Sequence, residues 1–160
     1  MFSEGYGIKQ NPYFKDLPLN PAKGELVIIH APKLKINFVL KAGVFLIPLG
    51  DDKYIVGATY EWSDLTNDIS LKAKEELLTK LSKLINCPFE VVDQVAGIRP
   101  TVKDRRPLVG MHSMHKNLFV LNGLGTRGVM IGPYAARQLY EFIENKRPLE
   151  KDIDIVRFLS

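Results

Sequence analysis

The stretch LFVLNGLGTRGVMIGPYAARQLYEFIE, residues 118–144, carries the strongest structural pattern in the chain. A short apolar run is followed by Gly123-x-Gly125-x-x-Gly128 and then by apolar residues at helical spacing. A strand, a glycine-rich turn and a helix in this order match the fingerprint of dinucleotide-binding folds. The pattern therefore raises the hypothesis that this turn binds a pyrophosphate.

The position of the turn in the chain argues against that hypothesis. A dinucleotide-binding fold has its glycine turn after the first strand and adds further strand–helix units behind it. Here the predicted helix ends near residue 145, and only residues 146–160 follow. Two local roles stay open: the helix start attracts an anion, or the glycines only permit tight packing. In either case we expect Gly128 to require a positive φ.

The composition indicates an ordinary globular domain, with 46% apolar and 25% charged residues and a formal net charge of +4. No apolar run approaches the roughly 20 residues of a membrane span, and the start lacks a signal-peptide pattern. The single cysteine, Cys87, cannot form an internal disulfide, so we expect a buried or half-buried thiol in a reducing cytoplasm. The scattered lysines do not form the basic face typical of nucleic-acid binding.

Hydrophobic periodicity predicts an α+β fold with a largely antiparallel sheet and two main helices. Turn-bounded apolar runs predict an antiparallel meander and further strands, at 24–31, 35–40, 43–50, 52–60, 89–100 and 117–123. A leucine stripe predicts a helix over 70–85, capped by Asp68 or Ser70. Pro48 places its strand at an edge or ends it. Residues 1–23 are loop-like, and the tail from Arg147 is irregular with one short apolar docking segment.

A second stretch, AGIRPTVKDRRPLVG at residues 96–110, completes a resemblance when it is taken with residues 122–143. Together they resemble the C-terminal part of FAD-dependent amino-acid and amine oxidases, the D-amino-acid oxidase and glycine oxidase superfamily. The family's pattern is a Gly-x-Arg-Pro turn, then Asp, Pro and Gly, and later a glycine-rich loop that enters a helix. The matching positions are Gly97, Arg99, Pro100, Asp104, Pro107, Gly110, Gly123, Gly128, Val129 and Pro133. The upstream runs at 20–29 and 45–59 follow the family's order.

The resemblance implies that this chain is a C-terminal fragment, because the family's N-terminal strand–GxGxxG–helix unit has no counterpart in it. Residues 1–23 would be a remnant of the FAD-binding domain, 24–122 the substrate domain, and 123–160 the flavin-facing loop, helix and tail. The partner would be the N-terminal FAD-binding domain of the same protein. Alone, the chain would bind FAD weakly, be inactive, and self-associate through its exposed docking face.

The resemblance also implies roles for particular residues. Arg99 would bind the substrate carboxylate through its planar guanidinium; alternatively, backbone carbonyls or Asp104 satisfy it. Tyr60 and Trp62 would line the substrate cleft, or else be core or rim aromatics. Many members have a histidine where this chain has Leu124, so only the backbone role is implied there. The flavin-facing set is Gly97, Gly123, Leu124, Gly125, Thr126, Arg127, Gly128, Val129 and Met130.

The implied function is FAD-dependent oxidation of a C–N bond in an amino acid or related amine. We assign no catalytic side chain, because the flavin carries the chemistry in this family. The three histidines, His30, His112 and His115, do not have a metal-ligand spacing, so we expect no metal. Two alternatives stay open: an RNA-modifying FAD oxidase of the same superfamily, and a ligand-binding module that has lost its flavin.

Overall fold

The computed structural model describes residues 1–158, and the chain in it divides into two compact units. The terminal unit consists of Met1–Ala22 and the chain from Arg99 onward, and the central unit is Lys23–Ile98. The predicted α+β class, with a largely antiparallel sheet and two main helices, is confirmed. Among residues 1–158, no helix is both long enough and apolar enough to cross a bilayer.

The central unit is built on a five-stranded sheet with the order β2-β3-β4-β1-β5. β2, β3 and β4 form an antiparallel meander, and β1 pairs antiparallel with β4, placing Ile28 opposite Ile55. Along β1, Val27 and Ile29 are buried and alternate with half-buried residues, as expected for a strand with one face on a core. The strands are β1 Ala22–His30, β2 Leu40–Ala42, β3 Val44–Gly50, β4 Lys53–Gly57 and β5 Glu90–Arg99.

Helix α1 (Leu71–Leu81) covers the core face of this sheet. Ser70 caps it, as predicted, because its side-chain oxygen accepts a hydrogen bond from the Ala73 amide at 3.2 Å. Leu77 and Leu81 are fully buried in a core formed with β1, β3 and β4. Burial of such a leucine contributes about 1.5–3 kcal/mol, so the leucine stripe holds the helix on the sheet.

One predicted strand is wrong. The run at 35–40 is irregular, and only Leu40–Ala42 pairs with β3. Lys35 has φ 49, which interrupts an extended backbone, and Phe38 and Val39 are more than half exposed. β2 pairs with β3 only as far as Leu46, so β3 has no neighbouring strand on that side at Pro48. Proline has no N–H, and at this position no hydrogen bond of the sheet is lost.

The terminal unit contains a β-hairpin and the second long helix. β6 (Leu108–Met111) pairs antiparallel with β7 (Phe119–Asn122), and α2 covers Gly128–Asn145. The sequence did not predict β6, because its buried pair Leu108 and Val109 is followed by a glycine and shows no alternation. Short 3-10 helices complete the unit at Gly5–Gln10, Gly125–Arg127 and Ile155–Phe158.

The two chain ends form much of the core of the terminal unit. Ile8, Phe14 and Leu17 are buried against the hairpin, so residues 1–23 contribute more than the predicted loop. The tail docks as predicted: Ile153 and Ile155 are buried, and the Val109 amide donates to the Ile153 carbonyl at 2.9 Å. Residues 159–160 of the predicted tail lie outside the described residues. The predicted boundaries at residues 24 and 123, which separate a remnant of the FAD-binding domain, the substrate domain and the flavin-facing part, stay a prediction.

Candidate functional site

The glycine-rich loop after β7 takes its shape from two left-handed residues. Gly123 has φ 69 and Gly125 has φ 56, a region that residues with a Cβ adopt only at a cost. A Cβ on Gly123 would lie 2.7 Å from Val102 Cγ2 and 3.1 Å from the Leu108 amide nitrogen. Both the backbone conformation and the available space therefore require glycine at position 123.

The loop is fixed to the segment that follows Arg99. The Gly125 amide donates to the Pro100 carbonyl at 3.2 Å, and a Cβ on Gly125 would lie 3.2 Å from Thr101 Cγ2. Arg127 Nη2 donates to the Arg105 carbonyl at 2.8 Å. Of the two explanations open from the sequence, tight packing accounts for both left-handed glycines, because their Cα hydrogens face protein atoms.

The expectation that Gly128 needs a positive φ is wrong. Gly128 has φ −53 and ψ −42, is the first residue of α2, and therefore adopts an ordinary helical backbone. A Cβ at this position would lie 3.4 Å from Leu124 Cβ, which is close to normal van der Waals contact. The sequence pattern located the loop correctly but assigned the left-handed conformation to the wrong glycine.

The first turn of α2 is exposed and carries no side-chain cap. Val129 is 100% exposed and Met130 is 73% exposed, so apolar surface surrounds the amide groups of the turn. Pro133 has no N–H, so the Val129 carbonyl has no helical donor four residues later. The start of an 18-residue helix thus presents amide donors, one carbonyl acceptor and the positive end of the helix dipole together.

A small cavity lies beneath this loop within the terminal unit. It measures about 40 Å³ and is lined by Thr101, Val102, Arg105 and the loop from Gly123 to Arg127. A space of this size admits solvent molecules and no organic ring. Any larger group that meets this loop would have to lie against the outer surface that Val129 and Met130 expose.

Arg99 ends β5 and is half-buried, and its carbonyl accepts from the Thr101 amide at 2.9 Å. The nearby Asp104 carboxylate accepts from Arg157 Nε at 2.9 Å and from the Arg106 amide at 3.0 Å. The Pro100 carbonyl next in sequence bonds Gly125, so the backbone after Arg99 and the glycine loop belong to one packed region. Gly97, by contrast, lies in the part of β5 that belongs to the central unit.

Tyr60 lies in the central unit, where it lines a cleft of about 230 Å³. Tyr60 and Trp62 are 56% and 54% exposed, so neither is a core aromatic residue. The rest of the cleft is mainly polar, and its lining includes Glu25, Glu61, Asp64, Ser70 and Lys72. Hydrogen bonds from Ser63 and Trp62 lower the pKa of Glu61, which keeps this carboxylate ionised at the cleft.

The sequence reasoning missed a buried charge network beside this cleft. The Lys23 and Glu25 side chains are 2% and 4% exposed, and Lys23 Nζ lies 2.5 Å from Asp64 Oδ2. The hydrogen bond from Lys23 lowers the pKa of Asp64 to about 2, and the same bond raises the pKa of Lys23. The Glu25 carboxylate accepts from the Ser70 amide and hydroxyl and from Gln94 Nε2, at 2.7–2.8 Å. The only available signal in the sequence would have been the alternation along β1, which places Lys23 and Glu25 on the same face as the buried Val27 and Ile29.

Within residues 1–158, no group of His, Cys, Asp and Glu side chains is arranged to hold a metal ion. Cys87 is a free, half-buried thiol, within the expected range of burial. It packs at the margin of the central core with Phe89 and Val91.

Comparison with known proteins confirms the resemblance. The family model described as FAD dependent oxidoreductase (DAO) matches residues 5–142. Glycine oxidase of Geobacillus kaustophilus is 28% identical over 135 residues, which cover 81% of this chain and 36% of that protein. The tRNA 5-methylaminomethyl-2-thiouridine biosynthesis bifunctional protein MnmC of Pseudoalteromonas atlantica is 29% identical over 178 residues, covering 91% of this chain and 25% of that protein.

The fold also matches solved flavoprotein structures. The crystal structure of glycine oxidase from Geobacillus kaustophilus superposes with a TM-score of 0.76 at 25% sequence identity. That match covers 96% of this chain and 42% of the solved chain. The chain thus spans less than half the length of the relatives that it matches.

We predict that Gly123→Ala lowers the free energy of unfolding more than Gly43→Ala does. Both glycines have a positive φ, but Gly43 has no atom within 4 Å of an added Cβ. Left-handed strain costs about 1–2 kcal/mol in each variant, and overpacking against Val102 adds about 1–3 kcal/mol at position 123. Urea unfolding of the two variants measures the difference, and equal losses would contradict the packing of the loop.

We predict that the Asp64 carboxyl titrates at about 2 and that Lys23→Met raises this pKa toward the ordinary 3.8. Because the pKa is lowered in the folded protein, its stabilising contribution is present above pH 3.8 and is lost as the pH falls through about 2. Side-chain ¹³C NMR measures the titration. The control Lys35→Met removes the exposed ion pair with Asp52 and should leave Asp64 unchanged. If the pKa of Asp64 is unchanged in Lys23→Met, the assigned ion pair is excluded.

Proposed function

This chain belongs to the DAO family of FAD dependent oxidoreductases, and from that premise we propose that it is the substrate-binding and flavin-facing part of an oxidoreductase. The whole protein would oxidise a C–N bond of an amino acid or a related amine. The proteins that it resembles include glycine oxidase. Since this chain spans 36% of that relative, activity is proposed for the full-length protein and not for the chain alone.

The observation that carries the proposal is the exposed, uncapped start of α2. A flavin ring is a flat apolar surface with polar edge atoms, and Val129, Met130 and the first-turn backbone groups offer matching apolar and polar partners. The residues present therefore fit FAD on the outer side of the loop. The flavin-facing set implied by the resemblance, Gly97 and Gly123–Met130, is retained in this proposal, with Leu124 acting only through its backbone.

Bound FAD would supply the hydride-accepting chemistry for the oxidation, and the loop and first turn of α2 would hold its ring. The first-turn amides of α2 favour an anion at this place, because they are donors at the positive end of a helix dipole. Arg127 is held by the Arg105 carbonyl, so its main part is to fix the loop that precedes the helix. The chain thus orients and stabilises, and it needs no side-chain nucleophile.

Arg99 is proposed to bind the substrate carboxylate. A guanidinium offers two parallel donors that match a carboxylate, which would orient an amino acid with its nitrogen-bearing carbon at a constant position. The hydrogen bond between Gly125 and Pro100 supports this role, because it joins the segment after Arg99 to the flavin-facing loop. Tyr60 is proposed as a second substrate contact, since it is exposed in the cleft of the central unit.

The proposed partner is an N-terminal FAD-binding domain of the same protein. Val129, Met130 and Tyr140 on α2 are exposed apolar or aromatic residues that a neighbouring domain or cofactor would cover. Without that domain, we propose that the chain binds FAD weakly and associates with itself through this surface. A reducing cytoplasm suits its one free thiol.

A second candidate substrate is an amine carried on tRNA. Four basic residues, Lys103, Arg105, Arg106 and Arg127, are exposed in the same unit as the glycine loop. Only Arg106 among them forms an ion pair with a described acid, Asp152, at 3.3 Å. Such a patch suits a phosphate backbone, and the relative from Pseudoalteromonas atlantica has a tRNA biosynthesis name.

The first test is an absorption spectrum of the gene's full-length product beside that of this chain after incubation with FAD and desalting. We expect the full-length protein to show flavin bands and the 160-residue chain to be colourless. A colourless full-length protein would favour the module that has lost its flavin. Stoichiometric FAD on the chain alone would mean that the loop at 123–128 is a pyrophosphate site after all.

The second test is the kinetics of Arg99→Ala in the full-length enzyme with free amino acids and with substrate tRNA. For a carboxylate substrate we expect KM to rise by tens- to several-hundred-fold, since a bidentate charged contact contributes about 2–4 kcal/mol. For a substrate analogue in which an amide replaces the carboxylate, KM should rise far less, because the analogue cannot form the ion pair with Arg99. The control Arg137→Ala removes an exposed α2 charge and should leave KM unchanged. Wild-type kinetics in Arg99→Ala would remove Arg99 from the substrate site.

A further inference from the structure

The terminal unit contains a cavity that none of the residues assigned above lines. It measures about 310 Å³, at the lower end of the roughly 300–1,000 Å³ of small-molecule sites. Three segments that are distant in sequence form it: residues 13–17, the loop after β6, and the 3-10 helix at the C-terminal end. Its lining is largely aromatic and aliphatic, with a single carboxylate, Asp16.

Aromatic rings at right angles to one another form part of its wall. The His112 ring is T-shaped against Tyr13, with centroids 5.9 Å apart and planes at 90°. It is also edge-on to Phe14, at 5.4 Å and 78°. Phe158 contributes a fourth ring to the lining. Rings set in different planes are the construction of an aromatic cage, because each face carries the negative part of the ring quadrupole.

The histidine in this wall is held in place by hydrogen bonds. His112 Nδ1 accepts from the amides of Met114 and His115, both at 3.1 Å. The ring of His115 lies 4.9 Å from that of His112. These contacts fix the orientation of the His112 ring in the wall.

Asp16 is the one carboxylate that lines the cavity. Across residues 1–158, this exposed side chain forms neither an ion pair nor a side-chain hydrogen bond. Lys9 Nζ donates to the carbonyls of Lys15 and Leu17, on either side of Asp16. Arg157 pairs with Asp104, and its guanidinium carbon lies 4.3 Å from the centroid of the Phe158 ring. A cationic ligand would therefore meet chiefly the rings of Tyr13, Phe14 and His112 and the Asp16 carboxylate.

We propose that the cavity between Tyr13, Phe14, Asp16, His112 and Phe158 binds an organic cation that carries a methylated or quaternary ammonium group. The aromatic faces would surround the methyl groups, and the Asp16 carboxylate would neutralise the charge. Leu17 and Ile155 line the cavity with buried aliphatic surface, which suits the apolar part of such a ligand.

The test is calorimetric titration of the full-length protein with choline and with its neutral carbon isostere, 3,3-dimethylbutan-1-ol. The two probes have the same shape and differ in charge, so we expect choline to bind at least about tenfold more tightly. Asp16→Asn should weaken choline binding several-fold, whereas Asp51→Asn, the same charge change at an exposed turn of the central unit, should not. Arg99→Ala should keep the wild-type choline affinity, which separates this cavity from the proposed substrate site.

The aromatic wall is tested with two substitutions at one position. Tyr13→Leu should abolish the preference for choline over the isostere, and Tyr13→Phe should retain it, because the ring face and not the hydroxyl carries the interaction. Equal affinities for the two probes would overturn the proposal. So would the absence of saturable choline binding up to about 10 mM, or an equal loss of affinity in Asp16→Asn and Asp51→Asn.

Discussion

The hydrogen bond from the Gly125 amide to the Pro100 carbonyl is the constraint on which the candidate site of the terminal unit depends. At 3.2 Å it joins the two stretches of sequence that carry the family's pattern. The bond requires the backbones to approach closely, which glycine permits at the lowest cost, because φ is 56 and an added Cβ would lie 3.2 Å from Thr101 Cγ2. The direction of α2 and the path of the chain after Arg99 are consequently set together.

In the central unit, a buried carboxylate has the corresponding role. The Glu25 side chain holds the Ser70 hydroxyl, and Ser70 in turn caps α1. Two residues earlier on the same strand, Lys23 pairs with Glu61 through the backbone and with Asp64 through its ammonium. Buried charges are tolerated only when each is paired and hydrogen-bonded, so these bonds fix the cleft where Tyr60 lies. Substitution of one member would leave another without its charged or hydrogen-bonded partner.

Local sequence patterns were sufficient for elements whose signal is contained within a few residues. Helix α1 followed from its leucine stripe and Ser70, and the strand, loop and helix around Gly123 followed from their order. The short β6 and the irregular run at 35–40 did not, because β6 shows no alternation and the positive φ of Lys35 leaves no mark in the hydrophobic pattern. The Lys23–Asp64 pair spans 41 residues and the Asn122–Gly5 bond spans 117, so neither leaves a local trace. Gly128 was misassigned because spacing identifies a glycine loop without distinguishing its φ angles.

Three features that each cost stability coincide at the start of α2. A β-branched residue, Val129, is fully exposed, the first turn has no side-chain cap, and Pro133 removes one hydrogen bond of the helix. The rest of the helix follows ordinary rules, with Ala135 and Leu139 buried in the core. Local rules are broken together mainly where a protein uses a surface for binding. The first turn of α2 directly follows the loop that Gly125 fixes beside Pro100. The three destabilising features and the family's sequence motif therefore occur at the same place. That convergence, more than the glycine spacing, supports the proposal that a flavin lies against α2.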